Sequence, residues 1–156
     1  MGTARLDVNS IDPKATKAVF AMEHYARSCG LDPALYELIK IRASQLNGCA
    51  YCLDMHTRDA RAAGETSRRI DVLAAWREAP ALYTAAERAA LDLTEAVTLI
   101  GEAGVPEPVW QRVTEHFDEP GIVHLLMAIA VINVWNRLAV ATHQQLPDDG
   151  AAAAGN

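Results

Sequence analysis

Twice within its first 33 residues the chain sets an aspartate directly before a proline, at Asp12-Pro13 and at Asp32-Pro33. Such a side chain accepts hydrogen bonds from the free amides of a helix's first turn. A proline there costs nothing, because its missing N–H would have had no partner. These pairs mark helix starts. The first, within Ser10-Ile11-Asp12-Pro13, opens a helix to about Ser28 with Ala18, Met22 and Tyr25 at helical spacing, ended by Cys29-Gly30. The second opens an amphipathic helix carrying Leu35, Leu38, Ile39, Ile41 and Leu46, which stops at Asn47-Gly48.

The same punctuation continues. A third helix is expected from about Gly48 or Cys49 to Gly64, and a shorter one from Glu65-Thr66 to about Arg77, closed by Pro80. Thr84 and Glu87 have capping-box spacing and predict a helix over 85–100 with Ala89, Ala90, Leu93, Val97 and Ile100 facing inward. Gly101, Gly104 and Pro106 break the chain again before a helix of about three turns carrying Val109, Trp110 and Val113. After Asp118-Glu119-Pro120-Gly121 a long helix from near Ile122 to Ala141 should be the most buried element. No stretch favours a strand and no repeat suggests a solenoid. The expectation is an all-α compact bundle of about seven helices.

Hydrophobic residues make up 51% of the chain and charged residues 22%, enough for one helical domain over residues 1–146 with its own core. Residues 147–156, rich in alanine after Pro147, read as a disordered tail. Fourteen basic and 20 acidic residues give a net charge of -6, and no helix face gathers lysine or arginine, so nucleic acid is not an expected partner. The longest strongly apolar run, Leu125 to Val134, falls short of a membrane span, and no secretory signal is legible at Met1-Gly2-Thr3-Ala4-Arg5. A cytoplasmic protein without membrane partners is the simplest expectation. Three cysteines are too few and odd for a disulfide scaffold, so any thiol chemistry in that compartment must be transient.

That chemistry concentrates in Asn47-Gly48-Cys49-Ala50-Tyr51-Cys52-Leu53-Asp54-Met55-His56. Asn-Gly makes a tight turn that leaves Cys49 in the first turn of the third helix, where free amides and the helix dipole favour a thiolate. Cys52 follows three residues on, at a separation that permits a reversible disulfide. His56 lies four residues beyond Cys52 and seven beyond Cys49. At 100° per residue the three side chains share an arc of about 60°. The imidazole can take a proton from Cys52 and return it to a leaving group. Cys49 is less directly served.

Glu37 joins through the neighbouring helix. If the second and third helices form an antiparallel hairpin about Asn47-Gly48, residues whose numbers sum to roughly 93 to 96 lie side by side, and Glu37 with His56 sums to 93. Ile41 and Ser44 share the face of Glu37, which places a carboxylate on the buried side of a helix in need of a partner. Orienting His56 or passing a proton to the dithiol would supply that role.

The run Arg42-Ala43-Ser44-Gln45-Leu46-Asn47-Gly48-Cys49-Ala50-Tyr51-Cys52-Leu53-Asp54-Met55-His56, with Glu37 twelve residues before Cys49, closely resembles the core of the alkylhydroperoxidase AhpD-like family within the carboxymuconolactone decarboxylase superfamily. The segment Ile132-Asn133-Val134-Trp135-Asn136-Arg137-Leu138 resembles an uncharacterised branch of it, so the likeness spans residues 13–143. The resemblance implies a helical fold, homo-oligomers that are often trimers or hexamers, and a peroxiredoxin-type peroxidase. It also implies Cys52 as the peroxide-attacking cysteine, Cys49 as the resolving one, and Glu37 with His56 as the proton relay. The expected cycle needs no bound cofactor, only a hydroperoxide and an external dithiol reductant or redox partner protein. Members with demonstrated activity carry a second histidine between the cysteines, where this chain has Tyr51.

Other readings compete with it. Cys49, Cys52 and His56 with Cys29 or Glu37 could hold zinc. A decarboxylase or isomerase of the superfamily would lack the paired cysteines. A redox sensor or disulfide-exchange protein would use the same thiols once per signal. Cys29 reads as a buried helix-end thiol, while His24, His116, His124 and His143 stand outside any motif. Trp76, Trp110 and Trp135 read as core or subunit contacts, and Asn133 and Asn136 either line a pocket or bond between helices.

Overall fold

The structure is a computed structural model that describes residues 3–147. Among the described residues eight α-helices follow one another: α1 (Val8–Ile11), α2 (Pro13–Ser28), α3 (Pro33–Asn47), α4 (Ala50–Ala62), α5 (Ser67–Val72), α6 (Ala85–Thr98), α7 (Glu107–Thr114) and α8 (Glu119–Thr142). Two 3₁₀ segments, Leu73–Glu78 and Pro80–Leu82, lie between α5 and α6, and no strand occurs among the described residues. The all-α bundle of the sequence is thus present. Its eighth helix is the single turn α1, capped by Asp7, which separates Ser10 from the true start of α2 at Asp12. The tail expected over 147–156 lies, from residue 148 on, outside the described residues.

The capping side chains act as their chemistry requires. Asp12 accepts from the amides of Lys14 and Ala15, Asp32 from that of Leu35, and Thr84 and Glu87 satisfy each other's backbone amides. Asp118 accepts from Gly121, so Pro120 sits inside the first turn of α8 and the helix begins at Glu119, before the expected Ile122.

Packing corrects several expectations. The buried stripe of α2 runs through Thr16 and Ala26 with Val19 and Met22 against the core, while Tyr25 is exposed. The helix expected to reach Arg77 tightens after Val72 and breaks at Ala75. Ile70, Leu73 and Trp76 are all buried, and a 3₁₀ turn aligns side chains three apart, so the tightening carries all three to one side. α6 ends at Thr98, and Ile100, expected inward, is 60% exposed in the turn beyond it. Trp110, too, is exposed.

α3 is the central element, packed against α4, α6 and α8. One side joins Leu35, Ile39, Leu93, Leu125 and Ile129; another joins Leu38 and Ile41 to Leu73, Trp76 and Leu91. A third cluster sets Ala43 with Cys49, Cys52, Ile132 and Ala139. By length and composition α8 is apolar enough to cross a membrane, unlike the shorter run read from the sequence. Here it is the core helix, with Leu125, Ala128, Ile129, Val131 and Ile132 fully covered by the other helices.

Polar bonds register α8 on α3. Asn47 donates through Nδ2 to Oδ1 of Asn133 (3.0 Å) and Asn136 (2.9 Å), and Asn136 donates to Oγ of Ser44 (3.0 Å). Asn133 also donates to Thr98 on α6 at 3.0 Å. These amides join helices. Their effect is to fix the depth at which Asn47, and hence the next two residues, sits in the bundle.

Candidate active site

Gly48 ends α3 in the left-handed conformation, at φ 64°, which glycine adopts without the clash a side chain would bring. The next residue, Cys49, is extended and forms the N-cap of α4, one position before the first turn where the sequence placed it. Its sulfur takes the place of a capping oxygen and accepts from the Cys52 amide at 3.3 Å. The sulfur thus faces a first-turn amide of the helix, at the end where the dipole is positive.

Cys49 and Cys52 are joined as a disulfide, their Cα atoms 5.4 Å apart. Each is only 1% exposed to the outer surface. Access comes instead through a cavity of about 730 Å³ lined by Cys52, His56, Tyr51 and Met55 of α4, by Trp135 and Leu138 of α8, and by Phe20, Glu23 and Lys40. Cys49 does not reach it. The two sulfurs therefore differ in what can approach them.

His56 is 1% exposed and its Nδ1 lies 2.9 Å from Oε2 of the buried Glu37. The hairpin arithmetic holds at atomic level. Glu37 also has the Arg27 guanidinium 3.9 Å from Oε1. With Nδ1 on the carboxylate, Nε2 of His56 is buried without a hydrogen-bond partner while the ring lines the cavity. A neutral imidazole whose Nδ1–H is held by a carboxylate presents Nε2 as a base.

Two residues of the cavity were not singled out by the sequence. Lys40 is 1% exposed, pairs with Glu23 of α2, and places Nζ 4.4 Å from the centre of the Tyr36 ring. Oε1 of Glu23 also accepts from the Tyr36 hydroxyl (2.9 Å) and Arg27 Nε (2.9 Å), leaving Oε2 without a partner. Burial pushes the Glu23 carboxyl up, but Lys40, Tyr36 and Arg27 outweigh it and hold it below its ordinary value. Burial also pushes the Lys40 ammonium below the usual lysine value, against the pull of Glu23. The signal available in the sequence was the spacing of Lys40 three residues after Glu37 on one helix.

Residues before α2 also contribute a wall. Leu6 and Val8 line the cavity, and Arg5 ties the segment to the end of α8 by its amide on Thr142 (2.8 Å) and its guanidinium on Ala141 (3.2 Å). Cys29, half-buried at the end of α2, donates to Ala26 and takes no part. Among the described residues, the side chains that gather as possible metal donors are Glu37, His56 and Asp59, within 4.8 Å of one another, and differ from the cysteine-based zinc set. Both Glu37 and His56 are already engaged with each other, and Asp59 is exposed.

Residues 13–96 match the carboxymuconolactone decarboxylase family. YdfG of Bacillus subtilis, an uncharacterised protein, is 46% identical over 137 residues, which cover 88% of this chain and 92% of the relative. The crystal structure of an Agrobacterium tumefaciens protein of unknown function, provisionally described as the antioxidant defence protein AhpD, superposes with a TM-score of 0.91 at 41% identity. It covers 94% of this chain and is itself wholly covered. An uncharacterised peroxidase-related protein of Silicibacter has the same fold, with a TM-score of 0.77 and 24% identity over 88% of this chain and 73% of its own. The chain belongs to the carboxymuconolactone decarboxylase family and has the AhpD-like fold, with a redox-capable cysteine pair at the start of a helix.

Proposed function

We propose that the protein is a thiol-dependent peroxidase that reduces hydroperoxides through a Cys49/Cys52 dithiol–disulfide cycle. The observation that carries this reading is the asymmetry of the site: Cys52 and His56 line one cavity, Cys49 stands behind at bonding distance, and Glu37 holds the far nitrogen of His56. In the reduced protein, Nε2 of His56 takes the Cys52 proton and the thiolate attacks a peroxide oxygen. The O–O bond breaks as the S–O bond forms, the leaving alkoxide receives the proton from His56, and Cys52 becomes a sulfenic acid. Cys49 then displaces hydroxide from that sulfur, releasing water and closing the disulfide, and an external dithiol reopens it with its own oxidation.

Tyr51 lines the cavity at the position where active relatives carry a second histidine, so within α4 His56 is left to serve both proton transfers. We place this chemistry in the cytoplasm, in one domain over residues 1–146 that assembles as a homo-oligomer. Exposed Phe20, Val123 and Val140 supply apolar surface for that assembly.

One equivalent of an organic hydroperoxide should remove two thiols from the reduced native chain. The same addition to Cys49→Ser should leave a sulfenic acid on Cys52, and Cys52→Ser should lose turnover by a factor on the order of a thousand or more. Unchanged thiol counts in the native chain would sink the reading.

A further inference from the structure

Lys40 is an expensive residue in its position. A buried ammonium is tolerated only with a charged partner, and replacing a buried ion pair with apolar side chains is often neutral or stabilising. Glu23 would keep two donors without it, since its Oε1 also accepts from Tyr36 and Arg27. The ion pair with Glu23 and the place on the Tyr36 ring anchor the ammonium, and a neutral, apolar pair would fill the same space.

The location of Lys40 gives a reason for the charge. The contact between Glu37 and His56 fixes the register of α3 against α4. Moving one turn toward Gly48 along each helix leads from Glu37 to Lys40 and from His56 to Cys52. Lys40, Cys52 and His56 all line the same cavity. We propose that Lys40 is a positioning residue of the dithiol site, whose ammonium, anchored by Glu23, favours the thiolate of Cys52; this rests on the dithiol reading above.

The surrounding charges are consistent with that assignment. α2 presents Glu23, His24 and Arg27 to the site; α3 presents Tyr36, Glu37 and Lys40; α4 presents Cys49, Tyr51 and His56. The segment before α2 adds Asp7, and the cavity-lining residues of α8 are uncharged. Both oxygens of Asp7 accept from Ser10, Glu37 is held by His56, and the Arg27 side chain is half exposed. Lys40 is thus the fully buried cation of the cavity.

The test follows the rate of iodoacetamide alkylation of the reduced full-length chain against pH, with Cys52 and Cys29 peptides resolved by mass spectrometry. In Lys40→Met the Cys52 midpoint should rise by about one pH unit, a roughly tenfold slower reaction at neutral pH, with Cys29 unmoved. Lys40→Arg should restore the native midpoint. The neutral pair Lys40→Met with Glu23→Gln strands no buried charge and decides the matter should the single variant not fold; a smaller rise in the same direction is expected, because the opposing charge of Glu23 goes with the ammonium. A native midpoint in a folded neutral variant overturns the proposal.

The native chain gives a reciprocal readout that needs no variant. Oxidising the dithiol removes the thiolate, so the Lys40 ammonium, followed by NMR, should titrate about one unit lower in the disulfide form. An unchanged Lys40 midpoint overturns the proposal equally. Because none of these measurements uses peroxide, the two readings fail separately. A Lys40-dependent midpoint without peroxide turnover sinks only the peroxidase, and turnover with a Lys40-independent midpoint sinks only the role of Lys40.

Discussion

Two glutamates, each gathering several donors, show how differently a polar cluster can be used. Glu95 on α6 accepts from Arg42 and Trp76 on Oε1, both at 2.8 Å, and from Arg77 on Oε2, while Arg77 and Arg112 share Asp92. Every oxygen of that pair of carboxylates has a partner. Glu23 instead crowds Tyr36, Lys40 and Arg27 onto Oε1 and leaves Oε2 bare, and His56 a short way off leaves Nε2 bare. Satisfied polar clusters hold elements together; buried polar atoms left open toward a cavity are available for chemistry. Both clusters tie helices, but only the second borders the dithiol.

That contrast can be broken by substitutions on either side. The largest effect belongs to the open cluster: His56→Gln should lower peroxide turnover by about a hundredfold or more, with the secondary structure by circular dichroism retained. Equal turnover in a folded variant would dissociate the imidazole from the chemistry. A smaller effect is expected in the closed cluster. Glu95→Gln should cost about 1.5 kcal/mol of stability in chemical denaturation, the low end for bonds to a charged group because the cluster's rim is open to solvent. Peroxide turnover should stay within twofold of native, about 0.4 kcal/mol.

The pH dependence of that stability difference sharpens the comparison. Burial pushes the Glu95 carboxyl up, but Trp76, Arg77 and Arg42 outweigh it and hold it below its ordinary value. A carboxylate bound more tightly in the folded state stabilises the protein above its unfolded value and loses that contribution as the pH falls through the lowered one. The gap between native and Glu95→Gln should therefore close on acidification below about pH 4. A gap that persists there would assign the cost to packing. Smallest of all, Asp32→Ala removes the cap bond to Leu35 and should cost about 1 kcal/mol or less, without altering the cavity chemistry.

Much of this was legible before the structure because it is local. Asp12, Asp32 and the Thr84–Glu87 pair cap the helices they announce, and one tight turn at Gly48 sets a hairpin register in which Glu37 meets His56. Cys49 was misplaced by one residue because an N-cap and a first-turn residue differ in one backbone torsion, φ -86° with ψ 94°, which spacing does not encode. Ile100 was misassigned because helical periodicity does not announce that α6 stops at Thr98. Lys40 and Glu23 were missed for a different reason. Their meeting depends on how α2 lies across α3, a tertiary contact that no turn between them dictates, whereas Asn47-Gly48 dictates the next. Likewise, nothing local tells that Arg5 will reach the end of α8, 136 positions away from Ala141.

The placement of Cys49 as a cap also bears on how the protein would wear out. Both sulfurs belong to one helical entrance, and Cys52 keeps its place in α4 with the disulfide closed. A sulfenic acid on Cys52 would meet its partner without a helix having to melt and reform. Its lifetime would be short compared with the arrival of a second peroxide, and sulfinic inactivation would be correspondingly rare. Durability over many turnovers would then come from the first turn of one helix, with no separate protective device.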